Sequence, residues 1–235
     1  MMKAFFFTWS FQKTYRMKYL IYFFSLVLFC QFSASCQSNG KSEAEREEQM
    51  ERITDLQNNF DVAYFASGCF WCVEAIYERL KGVEEVVSGY SGGHTQYPTY
   101  EASNTGLTGH AEAVMVFYDA NVVSFSTLLE VYFSSQNISQ FNGQGPDNGS
   151  QYRSILFYKT ADQKQLIDQK IKALEAELGQ GRVAAQVLKF DKFWIGEDYH
   201  QDYEQKHPNH PYIQNISVPR LQRVKAKLPE LFKQH

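Results

Sequence analysis

Cysteine is scarce in this chain: four residues in 235, at positions 30, 36, 69 and 72, with none after 72. So few exclude a small fold stapled by disulfides. Cys69 and Cys72 form one Cys-x-x-Cys unit, but no second such unit and no His-x-x-x-His follows at ligand spacing. His207 and His210 flank prolines instead, so no metal site is expected. Neither sign of charge dominates, with 23 basic and 26 acidic residues and a net charge of −3, which excludes a nucleic-acid-binding polycation. Internal repeats are absent too. Apolar residues, by contrast, make up 44% of the chain and aromatics 16%, enough to offset the ordering entropy of a folded domain.

The N-terminal region reads in parts. Lys13, Arg16 and Lys18 supply positive charge ahead of an apolar run from Tyr19 to Phe29, interrupted only by Ser25. As a helix that run rises only ~16 Å, about half a bilayer core, so it is the core of a signal peptide and not a membrane span. Residues 1–35 are expected to be that peptide, with 1–16 an over-extended start because Met17 opens a segment of ordinary length. Ser33-Ala34-Ser35-Cys36 resembles a bacterial lipoprotein processing site, making Cys36 the lipid-bearing first residue of the mature chain. Ser33 stands where such sites carry Leu, and an ordinary cut near Ala34 or Ser35 is the alternative. The expected location is therefore outside the cytoplasm, as a periplasmic protein or a membrane-anchored lipoprotein of a bacterial envelope. Residues 36–59, with a charged run from Glu43 to Arg52, read as a flexible polar tether, and residues 60–235 as the folded domain.

Within that domain the apolar period alternates. Val62 to Ala66 reads as a buried strand, and Val73, Ile76 and Leu80 as one face of a helix that ends near Gly82. Val83 to Gly89 and His110 to Tyr118 read as strands, with a Gly-rich loop at Ser91-Gly92-Gly93 after the first. Phe125, Leu128, Leu129, Tyr132 and Phe133 mark a helix, and Arg153 to Tyr158 a strand. Thr160 and Gln163 form a capping box for a helix that stops at Gly179. Val183 to Phe190 is a last strand, followed by a long irregular C-terminal segment. The order β-α-β-β-α-β-α-β predicts an α+β fold, a ferredoxin-like sandwich with a mixed or antiparallel sheet.

Chemistry concentrates at Gly68-Cys69-Phe70-Trp71-Cys72. A strand ends, a glycine turns the chain, and Cys69 opens a helix whose free amides and dipole favour a thiolate. Cysteine as a small buried hydrophobe is the bland alternative. Glu112 shares a strand face with Val114 and Val116, so burial of that face would keep its carboxyl protonated.

Gly68-Cys69-Phe70-Trp71, Gly89 to Gly93, Pro98-Thr99-Tyr100, Thr108 to Glu112, Gly149 to Ser154 and Glu197 to Gln201, in this order, resemble the peptide methionine-S-sulfoxide reductases of the A type. The resemblance runs over roughly residues 61–221. It implies Cys69 as nucleophile, Glu112 as acid, Tyr100 and Tyr152 as hydroxyls on the sulfoxide oxygen, and Asp147 as the residue orienting them. It also implies Phe70 and Trp71 as the aromatic pocket for the S-methyl group. The implied reaction reduces the S epimer of methionine sulfoxide, free or in oxidised proteins, through a sulfenic acid on Cys69. No bound cofactor is implied; a second thiol closes a disulfide that a thioredoxin-like protein or other dithiol reduces.

Two departures stand out. Most relatives have Gly at the position of Cys72 and many carry resolving cysteines near the C-terminus, where this chain has Ile213. The expected bond is then Cys69–Cys72. Gln136-Asn137-Ile138-Ser139 replaces the usual His-Asp-Pro-Thr, which weakens the expectation for Asp147. The rival functions are a general Cys-x-x-Cys disulfide oxidoreductase of the envelope and a surface lipoprotein without activity. The enzyme is expected to be a monomer.

Overall fold

The computed structural model describes residues 42–234. The expected signal peptide, Cys30 and Cys36 lie outside them. Helix α1 spans Glu43–Asn59, where the sequence suggested a flexible tether. A capping box starts it: the Ser42 hydroxyl accepts from the Glu45 amide at 3.3 Å, and the Glu45 carboxylate accepts from the Ser42 amide at 2.7 Å. The chain divides into two compact units, one to Glu51 and one from Arg52 onward.

Strands β1 (Asp61–Ala66), β2 (Val83–Ser91), β3 (Ala111–Tyr118), β6 (Ile155–Tyr158), β7 (Gln186–Lys189) and β8 (Phe193–Ile195) form a sheet in the order β7-β6-β1-β3-β2-β8. Its four middle strands, with helices α2 (Phe70–Glu78) and α4 (Phe125–Ser134), make the expected βαββαβ core. All neighbours run antiparallel except β6 and β7, which the long helix α5 (Ala161–Leu178) connects in parallel. Thr160 caps α5 as expected, accepting from the Gln163 amide at 3.2 Å.

Every residue of the central β3 is buried, and its alternation sorts two cores. Val114, Val116 and Tyr118 pack with Val73, Ile76, Leu128 and Leu129 of α2 and α4. Ala113, Met115 and Phe117 face the other side, with Ile53, Phe157, Phe190 and Phe193. The strand alternation therefore sends Glu112 toward the helical layer.

After Phe190 the chain is more regular than expected. Strand β8 pairs with β2 through Gly89–Ile195, Tyr90–Trp194 and Ser91–Phe193. At three residues it is too short to show a period. A π-helical turn at Ile213–Ser217 leads into helix α7 (Val218–Lys227), which has Pro219 in its first turn and buries Arg220 and Val224. Short pieces complete the chain: helices α3 (Tyr100–Asn104) and α6 (Tyr203–Lys206) and the hairpin of β4 (Gly143–Gln144) with β5 (Asp147–Asn148).

Candidate active site

The site begins where β1 turns into α2. Gly68 has φ +82°, and a Cβ there would stand 2.5 Å from the Gln144 Cβ, so only glycine fits. Cys69 is the N-cap of α2 and is buried, but its side chain makes no capping bond. The Phe70 N–H, one of the free amides of the helix start, donates instead to Glu112 Oε2 at 2.9 Å. Two groups 42 residues apart in sequence thereby meet beside the sulfur.

Their protonation follows from burial. Glu112 is 2% exposed, and desolvation pushes its carboxyl up to about 8 despite the Phe70 amide. For Cys69 the outcome differs from the sequence expectation. Burial pushes its thiol well up, and the neighbouring Cys72 adds to the effect. The hydrogen bond with Cys69 holds Cys72 down to about 7, against burial and with help from the Arg220 guanidinium. Desolvation thus outweighs the helix terminus at Cys69, and the more acidic thiol of the pair is Cys72. Both thiols are free.

Phe70 and Trp71 stand in an aromatic wall. The Phe70 ring lies 4.7 Å from His200, 5.8 Å from Tyr90 and 6.5 Å from Tyr100. Trp71 stacks on Tyr203 at 3.7 Å and donates its Nε1–H to His200 Nδ1 at 3.1 Å. Burial pushes His200 down to about 4, so it is a neutral acceptor. Glu197 ties the wall to the sheet, accepting from the Tyr90 hydroxyl at 2.7 Å and from the Tyr100 amide at 2.9 Å. Tyr100 and Tyr152 are half-buried. Burial raises both hydroxyls, and the charges of Glu112 and Cys69 act on each. Arg153 secures the Tyr152 loop by donating to the carbonyls of Ser150 at 2.8 Å, Gly109 at 2.8 Å and Gly92 at 3.2 Å.

Asp147 sits on the far side of the thiol pair. Its carboxylate accepts from the Tyr212 hydroxyl at 2.5 Å, and that hydroxyl accepts from the Cys72 thiol at 3.7 Å. The nearby loop uses amides: Gln136 accepts from Ser154 at 2.7 Å, and Gln144 accepts from the Asn137 amide at 2.9 Å. Tyr212, Arg220, Glu197, His200 and Tyr90 escaped the sequence reading as site residues. Tyr90, Glu197 and His200 lay within motifs, but Arg220 carries no local signal. Among the described residues no cluster of three or more Cys, His, Asp or Glu could hold a metal ion, and no helix is long and apolar enough to cross a membrane.

A pair of thiols, a buried proton donor and an aromatic wall suit two-electron reduction of a small, partly apolar oxidant. The family model for peptide methionine sulfoxide reductase matches residues 61–231. Peptide methionine sulfoxide reductase MsrA of Pasteurella multocida is 43% identical over 171 residues, covering 73% of this chain and 98% of that protein. That of Sulfolobus acidocaldarius is 41% identical, covering 72% and 96%. Among solved structures, methionine sulfoxide reductase A of Corynebacterium diphtheriae is 31% identical with a TM-score of 0.57, covering 63% of this chain and 75% of that one. Reduced Mxr1 of Saccharomyces cerevisiae is also 31% identical, with a TM-score of 0.56 and coverage of 63% and 86%. The general disulfide oxidoreductase finds no support in these relatives.

Proposed function

We infer the reaction course from one premise: the chain belongs to the peptide methionine sulfoxide reductase family. It is a peptide-methionine (S)-S-oxide reductase, which returns the S epimer of methionine sulfoxide to methionine. The assignment of steps to residues is ours. The observation that carries it is the Glu112 carboxyl, buried and bonded to the amide that follows Cys69.

Phe70 and Trp71 receive the S-methyl group, while Tyr100 and Tyr152 hold the sulfoxide oxygen. With Phe70 occupying Oε2, Glu112 offers its proton from the other oxygen. The Cys69 proton passes to the Cys72 thiolate as the Cys69 sulfur attacks the sulfoxide sulfur. The oxygen takes the Glu112 proton and moves to Cys69, leaving a sulfenic acid and methionine. Cys72 then attacks the Cys69 sulfur, forms the disulfide and releases water. Helical i, i+3 Cβ atoms lie ~5–6 Å apart, whereas a disulfide needs about 3.5–4.5 Å, so the first turn must loosen. Its bonds from the Cys72 and Val73 amides to the Cys69 carbonyl, at 3.2 and 3.4 Å, are already long. Asp147 orients Tyr212 against Cys72 during this step.

A thioredoxin-like protein or other dithiol supplies the two electrons that reopen the disulfide. An envelope location favours oxidised proteins over free methionine sulfoxide as substrates, because methionine oxidation there damages exported proteins. The reading of residues 1–36 supports export to a bacterial envelope, with a lipid on Cys36 as the anchor.

Single turnover on separated sulfoxide diastereomers, without reductant, tests the scheme. One methionine per enzyme is expected from the S epimer and none from the R epimer, with a Cys69–Cys72 disulfide in the mass spectrum. Cys69→Ser should release no methionine, whereas Cys72→Ser, lacking both the proton acceptor and the resolving thiol, should reach the sulfenic acid more slowly and stop there. Turnover by Cys69→Ser would refute the nucleophile.

A further inference from the structure

Cys72 has a second side. Away from the aromatic wall, a cavity of about 390 Å³ opens to solvent, and Cys72, Asp147, Tyr212, Arg220, Arg223 and Lys227 are among its lining residues. Phe70, Trp71, Tyr100, Glu112 and Cys69 do not line it. Arg220 is buried and donates to the Ser135 carbonyl at 2.7 Å and to Ser67 Oγ at 3.2 Å. No carboxylate pairs with it among the described residues. Arg223 and Lys227, one and two turns further along α7, are exposed. Three cations therefore face one carboxylate around a sulfur that is 1% exposed.

We propose that this cavity is a second entrance to the redox pair, through which a small anionic thiol reduces the Cys69–Cys72 disulfide by attacking Cys72. The proposal rests on the disulfide assigned above. A space of a few hundred Å³ is of ordinary small-ligand size. A sulfur buried at the floor of such a recess is open to a slender thiol, beside the route taken by a dithiol protein. The cationic lining selects an anion.

The incoming thiolate bonds to Cys72 Sγ as the S–S bond breaks, and Cys69 leaves with the bonding pair and takes up a proton. A second thiolate attacks the outer sulfur of the mixed disulfide, forming the free disulfide and releasing Cys72. Two thiols thus supply the two electrons that the sulfoxide had removed.

The test uses the full chain oxidised by one turnover. It is treated with 2-mercaptoethanesulfonate, 2-mercaptoethanol or cysteamine, with rates compared per thiolate. The sulfonate should react about tenfold faster than cysteamine at low salt, and the difference should vanish near 1 M salt, where screening reaches ~3 Å. The first adduct should map to Cys72 by mass spectrometry. Replacing both Arg223 and Lys227 by Glu should reverse the order while leaving the single turnover of sulfoxide unchanged. Equal rates for the three thiols, or an adduct on Cys69, would overturn the proposal. Reduction by a dithiol protein but by none of the three thiols would do the same.

Cys69→Ser separates this failure from that of the catalytic scheme, because it never forms the internal disulfide. Its Cys72 should exchange faster with bis(2-sulfoethyl) disulfide than with cystamine. If wild type formed no Cys69–Cys72 bond, the resolving role would fall, and this preference would still decide whether the cavity admits anions.

Discussion

Cys72, held down to about 7, and Glu112, pushed up to about 8, define a narrow interval in which a thiolate and a protonated acid coexist. The thiol pair must have lost a proton, which favours higher pH, while Glu112 must keep its own, which favours lower pH. A bell-shaped kcat/KM profile with limbs near those values is expected. Glu112→Gln should remove the alkaline limb and slow the reaction by about 10²–10⁴-fold, read from the same profile. Glu74 offers a different pH signature. It is buried with Oε1 unpartnered, and desolvation pushes it up to about 9. A folded-state value raised this far above the unfolded one means that its contribution to stability falls as pH climbs from the ordinary carboxylate range toward 9. Glu74→Gln should therefore raise the denaturant midpoint, with little gain near pH 4 and a growing gain up to pH 9. The placement of Glu112 was legible because strand alternation is a local property. The ionisation of Cys69 was not, since it follows from how deeply the folded chain buries the sulfur and from Glu112, 43 positions on, neither of which is a local property.

The β1–α2 turn is the element that aims the nucleophile, and Gly68 makes it possible. Gly68→Ala would place a Cβ at positive φ against Gln144, costing about 1–2 kcal/mol for the backbone and about 1–3 kcal/mol for the overlap. A clear drop in urea midpoint is expected, together with slower alkylation of Cys69. Strands and helices with a long apolar period, such as β3 and α4, could be read from sequence. Helix α1 was missed because its mostly exposed face shows little apolar period, although Ser42 and Glu45 announce its start. Helix α7 had readable signals too: Pro219 at its opening and Leu221, Val224 and Leu228 at helical spacing. Strand β8 is held by its ladder with β2 and by side chains, and its own sequence shows no period. The Gln201 amide accepts from the Ser88 N–H at 2.9 Å and donates to the Ser88 carbonyl at 3.0 Å, pinning the segment that follows β8 to β2.

Across the whole molecule the βαββαβ core supplies Cys69, Cys72 and Glu112, whereas the C-terminal segment supplies His200, Tyr203, Tyr212 and Arg220. Gln201→Ala, by freeing that segment, should raise KM more than it lowers kcat and speed amide hydrogen exchange across residues 193–212. The succession of core elements along the chain followed from the alternation of periods. The wrapping of the tail did not, because it depends on single polar contacts between Gln201 and Ser88, and between Glu197 and both Tyr90 and Tyr100. Those late-arriving residues have a temporal consequence. A growing polypeptide that has passed Glu112 but not yet reached Tyr212 and Arg220 already owns both sulfurs and the acid, yet lacks the guanidinium and the hydroxyl that help hold Cys72 down. Its Cys72 would keep its proton to higher pH than in the finished chain, and that last part of the difference between the thiols would arrive only when roughly the final two dozen residues dock.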